Sequence, residues 1–388
     1  MKKKFTFLAL IASFNLAANY AHPITPAYFK LWHLDSAMFG YAFAVMSLGM
    51  FLGSPFFGEL AKSINARILM AGGSIGYSLA QVLFALGHTP GIILWGRLLA
   101  GIACGAFFVG ALTYIANTSL ADERGANLTL NATVQTVFGA LGYFIGGIIG
   151  SFDLMWTFSL QIVQLFVTGI LFYFLLVDDL ANPEKLNLKK ACQSLTFIPR
   201  LAPKDAPLSR LLWGLLGVSV LTFLGYTAFD QSFNYYLKDV FDLSSSYNGT
   251  FKGAVGLISL VANMTFGMFL VKKTDLKRST PVILGACALF MGAVLFSPNL
   301  LIFFSLNLVF YAFYAVSVPM VQDLITNQAT PKTQSTVLGF YQASQSFGRI
   351  IGAFIAGILY DLNNLIPFSL GAVSFLIAAL VIQFLKKS

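Results

Sequence analysis

Four ionisable side chains lie inside long apolar stretches of this sequence: Asp230, Arg97, Arg349 and His22. A charged side chain at the centre of a bilayer costs about 2.5–3.5 kcal/mol on insertion scales, so such residues are candidates for function. Asp230 is the only carboxylate far from both ends of its stretch. This pattern favours reversible binding of a proton at Asp230.

The four residues differ in what they can do with a proton. Desolvation raises the pKa of a carboxyl group and a nearby guanidinium lowers it, so a change in exposure can load and unload Asp230. Arg97 stays protonated, so it can bias the Asp230 pKa or bind an anionic substrate group. His22 titrates near neutral pH when unperturbed and is a second proton-coupling candidate. The alternatives are a static pair of Asp230 with Lys252 or Arg97, and a hydrogen-bonded helix-end role for His22.

Arg349 extends the candidate substrate site. Its guanidinium, directly after Gly348, can bind an anionic substrate group, or it can equally bond to helix-end carbonyls or to Gln345. Arg97, Asp230 and Arg349 together leave one positive charge in excess, which leaves an anionic or zwitterionic substrate open. Uncharged polar residues within the apolar stretches are expected to line the same site: Asn19, Gln231, Asn234 and Asn307.

The composition limits the class of protein. The 388 residues are 57% hydrophobic and 10% charged, whereas soluble domains carry about 25% charged residues. This excludes a soluble enzyme, a nucleic-acid-binding protein and a disordered scaffold. Cys104, Cys192 and Cys287 are too few and too dispersed for a disulfide framework or a metal site, and no phosphate-binding G-x-x-x-x-G-K-[ST] loop occurs. We expect no cofactor, no metal and no catalytic residues.

Apolar runs of about 20 residues, the length that crosses the hydrocarbon core, give twelve candidate spans. They cover residues 5–29, 37–60, 67–87, 91–117, 127–150, 155–177, 211–237, 248–271, 279–297, 300–325, 336–359 and 364–385. Pro23 and Pro26 are expected to break the first span near its outer end. With both termini cytoplasmic, most of the 24 Lys and Arg residues lie inside, as the positive-inside rule requires. Cleavage of a signal peptide at the N-terminus is the alternative, and it would leave eleven spans.

The chain divides into two similar parts. A constant offset places Gly40 on Gly249 and Gly58 on Gly267. A polar segment, residues 178–210, separates six spans in residues 1–177 from six in residues 211–388. Two six-helix halves in parallel repeat, with a substrate site between them, are a known architecture of secondary transporters.

Three segments carry a family resemblance. Gly58 to Arg67 resembles the G-x-L-a-D-R-x-G-R-R loop between spans two and three of the major facilitator superfamily, with Lys62 in place of the acidic residue. Arg97 matches the superfamily's span-four arginine. Residues 139–147 resemble the G-x-x-x-G-P-x-x-G-G signature of the twelve-span drug/proton antiporters.

The resemblance implies a fold and a set of roles. The fold is an all-α polytopic membrane protein of twelve transmembrane helices in two six-helix halves. Spans one, four, seven and ten of the superfamily line a central cavity, which implies that His22, Arg97 and Asp230 face it. Residues of the loop and the signature are implied in conformational switching: Gly58, Arg67, Gly142, Gly146 and Gly147. Close helix packing is the simpler interpretation of the glycines.

The sequence therefore predicts a proton-coupled secondary transporter that exports small amphiphilic organic molecules by alternating access. Its expected partners are the substrate, protons and the lipid bilayer, and no nucleic acid. We expect a monomer in a bacterial inner membrane. The alternatives are an uptake symporter for a sugar, organic acid or peptide, a flippase for a lipid-like molecule, and a sensor built on the same fold.

Overall fold

The computed structural model describes residues 2–34, 38–120, 122–180, 183–194, 209–241, 245–297, 299–330 and 333–385. All regular secondary structure within these ranges is helical. The first part of the chain forms seven helices: α1 (Lys2–Ala18), α2 (Thr25–Leu31), α3 (Met38–Leu60), α4 (Ala66–Leu86), α5 (Pro90–Thr118), α6 (Arg124–Phe152) and α7 (Leu154–Leu175).

A short helix, α8 (Leu188–Ser194), lies in the segment that joins the two parts. The second part forms α9 (Arg210–Asp239), α10 (Ser245–Ala262), α11 (Met268–Lys273), α12 (Leu276–Val294), α13 (Leu300–Thr326), α14 (Gln334–Leu362) and α15 (Ile366–Leu385). A five-residue π-helical turn, Asn263–Gly267, joins α10 to α11. Such turns occur where one residue more than the α-helical repeat is accommodated.

Each predicted span coincides with one of these helices or with a pair of them. The first span is interrupted, because α1 ends at Ala18 and α2 begins at Thr25. Pro23 lies in the intervening turn, where its missing N–H group and fixed φ cannot continue a helix. Among the described residues, nine helices meet the length and hydropathy expected of a membrane span.

The two halves repeat the same helix pairings. In the first half α4 packs on α5 and α7, and α1 packs on α6 and α7. In the second half α12 packs on α13 and α15, and α9 packs on α14 and α15. These pairs match one another in chain order, which agrees with the internal duplication in the sequence. The all-α fold of twelve transmembrane helices in two six-helix halves is confirmed.

The halves meet through α3 against α14 and through α6 against α10. Gly339 on α14 faces the backbone of α3, where a Cβ atom would come within 2.7 Å of the Ser54 carbonyl oxygen. The rings of Phe51 and Phe347 meet across the same contact with centroids 5.5 Å apart. We call the end of the bundle where α1 begins and α8 lies the linker face, and the opposite end the far face.

Candidate functional site

A cavity of about 440 Å³ lies between the two halves. The first half contributes neutral polar side chains: Asn15, Asn19, His22, Asn131, Gln135 and Tyr143. The second half contributes both neutral and charged side chains: Tyr226, Asp230, Gln231, Lys252, Tyr311, Tyr314, Gln322, Gln342, Gln345 and Arg349. Cavities of this size accommodate small organic molecules.

Asp230 is the centre of a polar cluster on the second-half wall. Its Oδ1 atom forms an ion pair with Lys252 Nζ and accepts a hydrogen bond of 2.5 Å from the Tyr311 hydroxyl. Lys252 also donates to that hydroxyl over 3.3 Å. The side chains of Asp230 and Lys252 are 17% and 15% exposed, so water in the cavity can reach the pair.

Two tyrosines stack on each other beside this cluster. The rings of Tyr226 and Tyr314 stack with centroids 4.1 Å apart and planes within 3°. Tyr226 lies one helical turn before Asp230 on α9, so both side chains project from the same face. Tyr311 and Tyr314 share a face of α13 for the same reason. The wall therefore offers aromatic side chains next to the Asp230–Lys252 ion pair.

Arg349 on α14 is the second cation of this wall. Its Nη2 atom donates to Gln345 Oε1 over 3.3 Å, and its guanidinium lies 4.7 Å from the centre of the Phe223 ring. No described carboxylate lies within ion-pair distance of Arg349. The described cavity lining thus holds two cations and one carboxylate.

The first-half wall carries no charged side chain among the described lining residues. Asn15 donates to the Ile11 carbonyl and Asn19 donates to the Asn15 carbonyl, each over 2.8 Å. The Oδ1 atom of Asn131 is buried without a described partner. His22 lines the cavity from the turn between α1 and α2. This wall can hydrogen-bond a substrate but supplies no formal charge when His22 is neutral.

The structure places two other predicted site residues away from the lining. Arg97 is 4% exposed, with its guanidinium 3.9 Å from the centre of the Phe84 ring and Nη2 3.5 Å from Thr25 Oγ1. Asn307 is fully buried and donates to the Phe303 carbonyl over 2.7 Å. Neither belongs to the described cavity lining. The side chain of Asn234 lies outside the described part of the chain.

The predicted switch glycines of α6 are packing contacts within the first half. Gly142 and Gly146 lie against the carbonyl groups of Leu16 and Tyr20 on and just after α1, where no Cβ atom would fit. Gly147 is in ordinary contact distance of Pro23, since an added Cβ would lie 3.7 Å from the proline ring. The close approach of α1 and α6 therefore depends on Gly142 and Gly146.

The loop after α3 is attached to the segment that follows α7. Arg67 Nε lies 2.7 Å from Asp178 Oδ1, and Arg67 Nη1 donates to the Leu176 carbonyl over 3.2 Å. Asp179 accepts from the Ala66 backbone N–H over 2.7 Å and from Asn117. Burial raises the pKa of the Asp179 carboxyl group, and these hydrogen bonds oppose the shift.

Glu59 connects three parts of the chain at the linker face. Its carboxylate lies 2.8 Å from Lys62 on the following loop and 2.8 Å from Lys190 on α8. It also accepts a hydrogen bond of 3.3 Å from Thr336 on α14. Gly58, its neighbour on α3, approaches the backbone of Gly339, where an added Cβ would lie 3.1 Å from the Gly58 Cα atom. The carboxylate that pairs with Lys62 therefore comes from the last turn of α3, three residues earlier in the chain.

Sequence reasoning named Lys252 only as a static partner of Asp230 and did not identify the tyrosines as site residues. The structure begins α10 at Ser245, three residues before the predicted span, so Lys252 lies about two turns into the helix. The four-residue spacing of Tyr226 and Asp230 on one helix was the sequence signal that could have placed Tyr226 beside Asp230 in the cavity.

Comparisons with known proteins agree with this architecture. Residues 5–353 match the sequence family described as Major Facilitator Superfamily. The chain is 25% identical to multidrug resistance protein 2 of Bacillus subtilis over 374 residues, covering 95% of this chain and 92% of that protein. It is 23% identical to quinolone resistance protein NorA of Staphylococcus aureus over 380 residues, covering 94% and 91%.

Solved structures share the fold at low sequence identity. The human organic anion transporter MFSD10 (TETRAN) is similar with a TM-score of 0.80 and 17% identity, covering 98% of this chain and 99% of that one. A bacterial homologue of the iron transporter ferroportin in the outward-facing state is similar with a TM-score of 0.77 and 13% identity, covering 100% of both chains. At these identities the likeness concerns the fold alone.

Proposed function

Because this chain belongs to the Major Facilitator Superfamily and is therefore a membrane transporter, we propose that it exports small amphiphilic organic molecules in exchange for protons. The relatives named for multidrug and quinolone resistance extend over nearly the whole chain, which supports export. Both have bacterial sources, which supports a place in a bacterial plasma membrane. The charge pattern of the loops supports cytoplasmic termini.

Asp230 is the observation that carries the proposal of proton coupling. It is a carboxylate in the cavity between the halves, paired with Lys252 and within hydrogen-bond distance of Tyr311. Protonation would remove the charge of Asp230 and its attraction for Lys252, so the pair can respond to the side from which protons arrive. His22 is less suited to this role, because it has no described carboxylate partner.

Alternating access requires the halves, residues 1–177 and 211–388, to rock about their contacts, with residues 178–210 as the connection. The Glu59–Thr336 hydrogen bond and the contact of Gly125 with Asp323 join the halves at the linker face. These contacts support a conformation that is closed at that face. Opening would break them, and the glycine contact at Gly339 would serve as the surface over which α3 and α14 move.

The test uses purified protein in liposomes that enclose a pH-sensitive dye. Addition of a transported drug to wild-type protein should move protons in the direction opposite to the drug. Asp230→Asn should lose this movement, whereas Asp122→Asn, which removes an exposed carboxylate outside the cavity, should retain it. Proton movement in the same direction as the drug would indicate an uptake symporter, and undiminished coupling in Asp230→Asn would contradict the proposed role of this residue.

A further inference from the structure

We propose that the cavity selects aromatic zwitterions, with Arg349 binding the anionic group of the substrate and Asp230 its cationic group. This inference rests on the proposed exchange of substrate for protons and names a substrate class that such an exchange can carry. It follows from how the charges of the cavity are paired, from the aromatic surface next to them, and from the condition that exchange places on binding.

The first step concerns Arg349. Lys252 has a carboxylate partner, whereas the described contacts of Arg349 are the neutral side chains of Gln345 and Phe223. Arg349 is half-buried and lines the cavity. A guanidinium that lines a cavity can bind a carboxylate group of a substrate, and Arg–carboxylate contacts are often bidentate. The neutral first-half wall supplies no competing negative charge.

The second step concerns the surface beside the charges. Tyr226 and Tyr314 stack on each other, and both line the cavity together with Asp230 and Arg349. A planar ring is favoured on such a surface, because aromatic pairs prefer offset-stacked or edge-to-face contact. An aromatic body on this surface can place polar groups toward both residues.

The third step concerns exchange. A substrate with only an anionic group at Arg349 would favour protonation of Asp230, because its negative charge disfavours the ionised carboxylate. Such a substrate would be carried together with the proton. Exchange requires that substrate and proton exclude each other. A cationic group that takes the place of Lys252 at the Asp230 carboxylate does so, because a protonated Asp230 no longer attracts a cation. The cationic group of a zwitterion therefore meets the condition of exchange, and its anionic group matches Arg349.

The experiment measures equilibrium binding of three naphthalene probes with one common ring to purified protein. The zwitterionic probe carries an aminomethyl and a carboxylate group, the anionic probe is its N-acetyl derivative, and the cationic probe is its methyl ester. Wild-type protein should bind the zwitterion about tenfold more tightly than the ester, as expected for one charge-assisted contact.

Variants at two residues, Arg349 and Asp230, separate the contributions of the two ends of the probe. Arg349→Gln should weaken the zwitterion and the anion about tenfold and leave the ester within about twofold, whereas Arg349→Lys should retain most of the preference. Asp230→Asn should weaken the zwitterion and the ester but not the anion. Lys272→Gln removes an exposed positive charge at the linker face and should change none of the three affinities.

Equal binding of zwitterion and ester by wild-type protein would overturn the inference, and so would failure of the zwitterion to bind. Arg349→Gln and Arg349→Lys weakening all three probes equally would assign Arg349 to the fold instead. Binding needs no proton gradient, so the two proposals can fail separately. The selectivity can hold in a protein that exchanges no protons, and a coupled exporter can lack it.

Discussion

The two halves of this transporter repeat one arrangement of helices but line the cavity with different chemistry. The first half presents amides, a tyrosine and a histidine, and the second half presents the described charges. Their arginines show the same contrast. Arg97 is buried against Phe84 and beside α2 and α3, whereas Arg349 faces the cavity. The helix pairings are therefore shared by the two halves, whereas the described charged residues of the cavity lining belong to one half.

The largest effect is expected from breaking the ion pair of the second-half wall. Lys252→Gln leaves Asp230 partly buried without its cation, which should lower stability by about 2–3 kcal/mol. Removing both partners, Lys252→Gln with Asp230→Asn, should recover most of that loss. Thermal unfolding in detergent measures both variants. Equal stability of the single and wild-type proteins would mean that the pair does not hold the wall together.

The two arginines are expected to differ in selectivity. Arg349→Gln should remove the roughly tenfold preference for the zwitterionic probe over its ester. Arg97→Gln should lower thermal stability, because it removes the ring contact with Phe84, but should keep the ratio of the two affinities. Binding of both probes to both variants checks this contrast. If Arg97→Gln also lost the preference for the zwitterionic probe over its ester, Arg97 would belong to the substrate site, as the sequence predicts.

A smaller effect is expected at the neutral wall. Asn131→Ala removes a side chain whose Oδ1 atom has no described partner, so it should weaken all three probes by a similar factor of about three to ten, equivalent to one hydrogen bond. The same titrations measure it. A change confined to the anionic or the cationic probe would show that the first-half wall also distinguishes charged groups of the substrate.

The smallest effect is expected at the linker face. Glu59→Gln weakens its ion pairs with Lys62 and Lys190, and partly exposed pairs contribute about 0–1 kcal/mol. We expect a shift of about twofold to fivefold in the population closed at this face, measured by distances between spin labels on cysteines replacing Asp122 and Lys272. Glu184→Gln, an exposed control on the linker, should leave the populations unchanged. An equal shift in the control would remove Glu59 from this role.

The sequence predicted the helices well because charge clusters and prolines mark their ends. It was less informative about which side of a helix faces the cavity. α5 is apolar on nearly every side, so its periodicity does not define the direction of Arg97. α14 has polar residues, among them Gln342, Gln345 and Arg349, toward the cavity, so its direction is readable from the sequence.

Depth in the membrane was also hard to predict. The position of Lys252 depends on where α10 begins. Polar residues before an apolar run can belong to the same helix, so the start of the apolar run does not mark the first residue of the helix. The pairing of Asp230 with Lys252 was one of two ion-pair alternatives that the sequence left open. Only the three-dimensional packing of α9, α10 and α13 selects between them.

The central claim is that substrate and proton compete for Asp230. The most direct measurement is the dissociation constant of the zwitterionic probe as a function of decreasing pH, made on wild-type protein and on Asp230→Asn. The account predicts that binding weakens as the pH falls in wild-type protein and is independent of pH in Asp230→Asn. Tighter binding at low pH, or identical curves for both proteins, would contradict it.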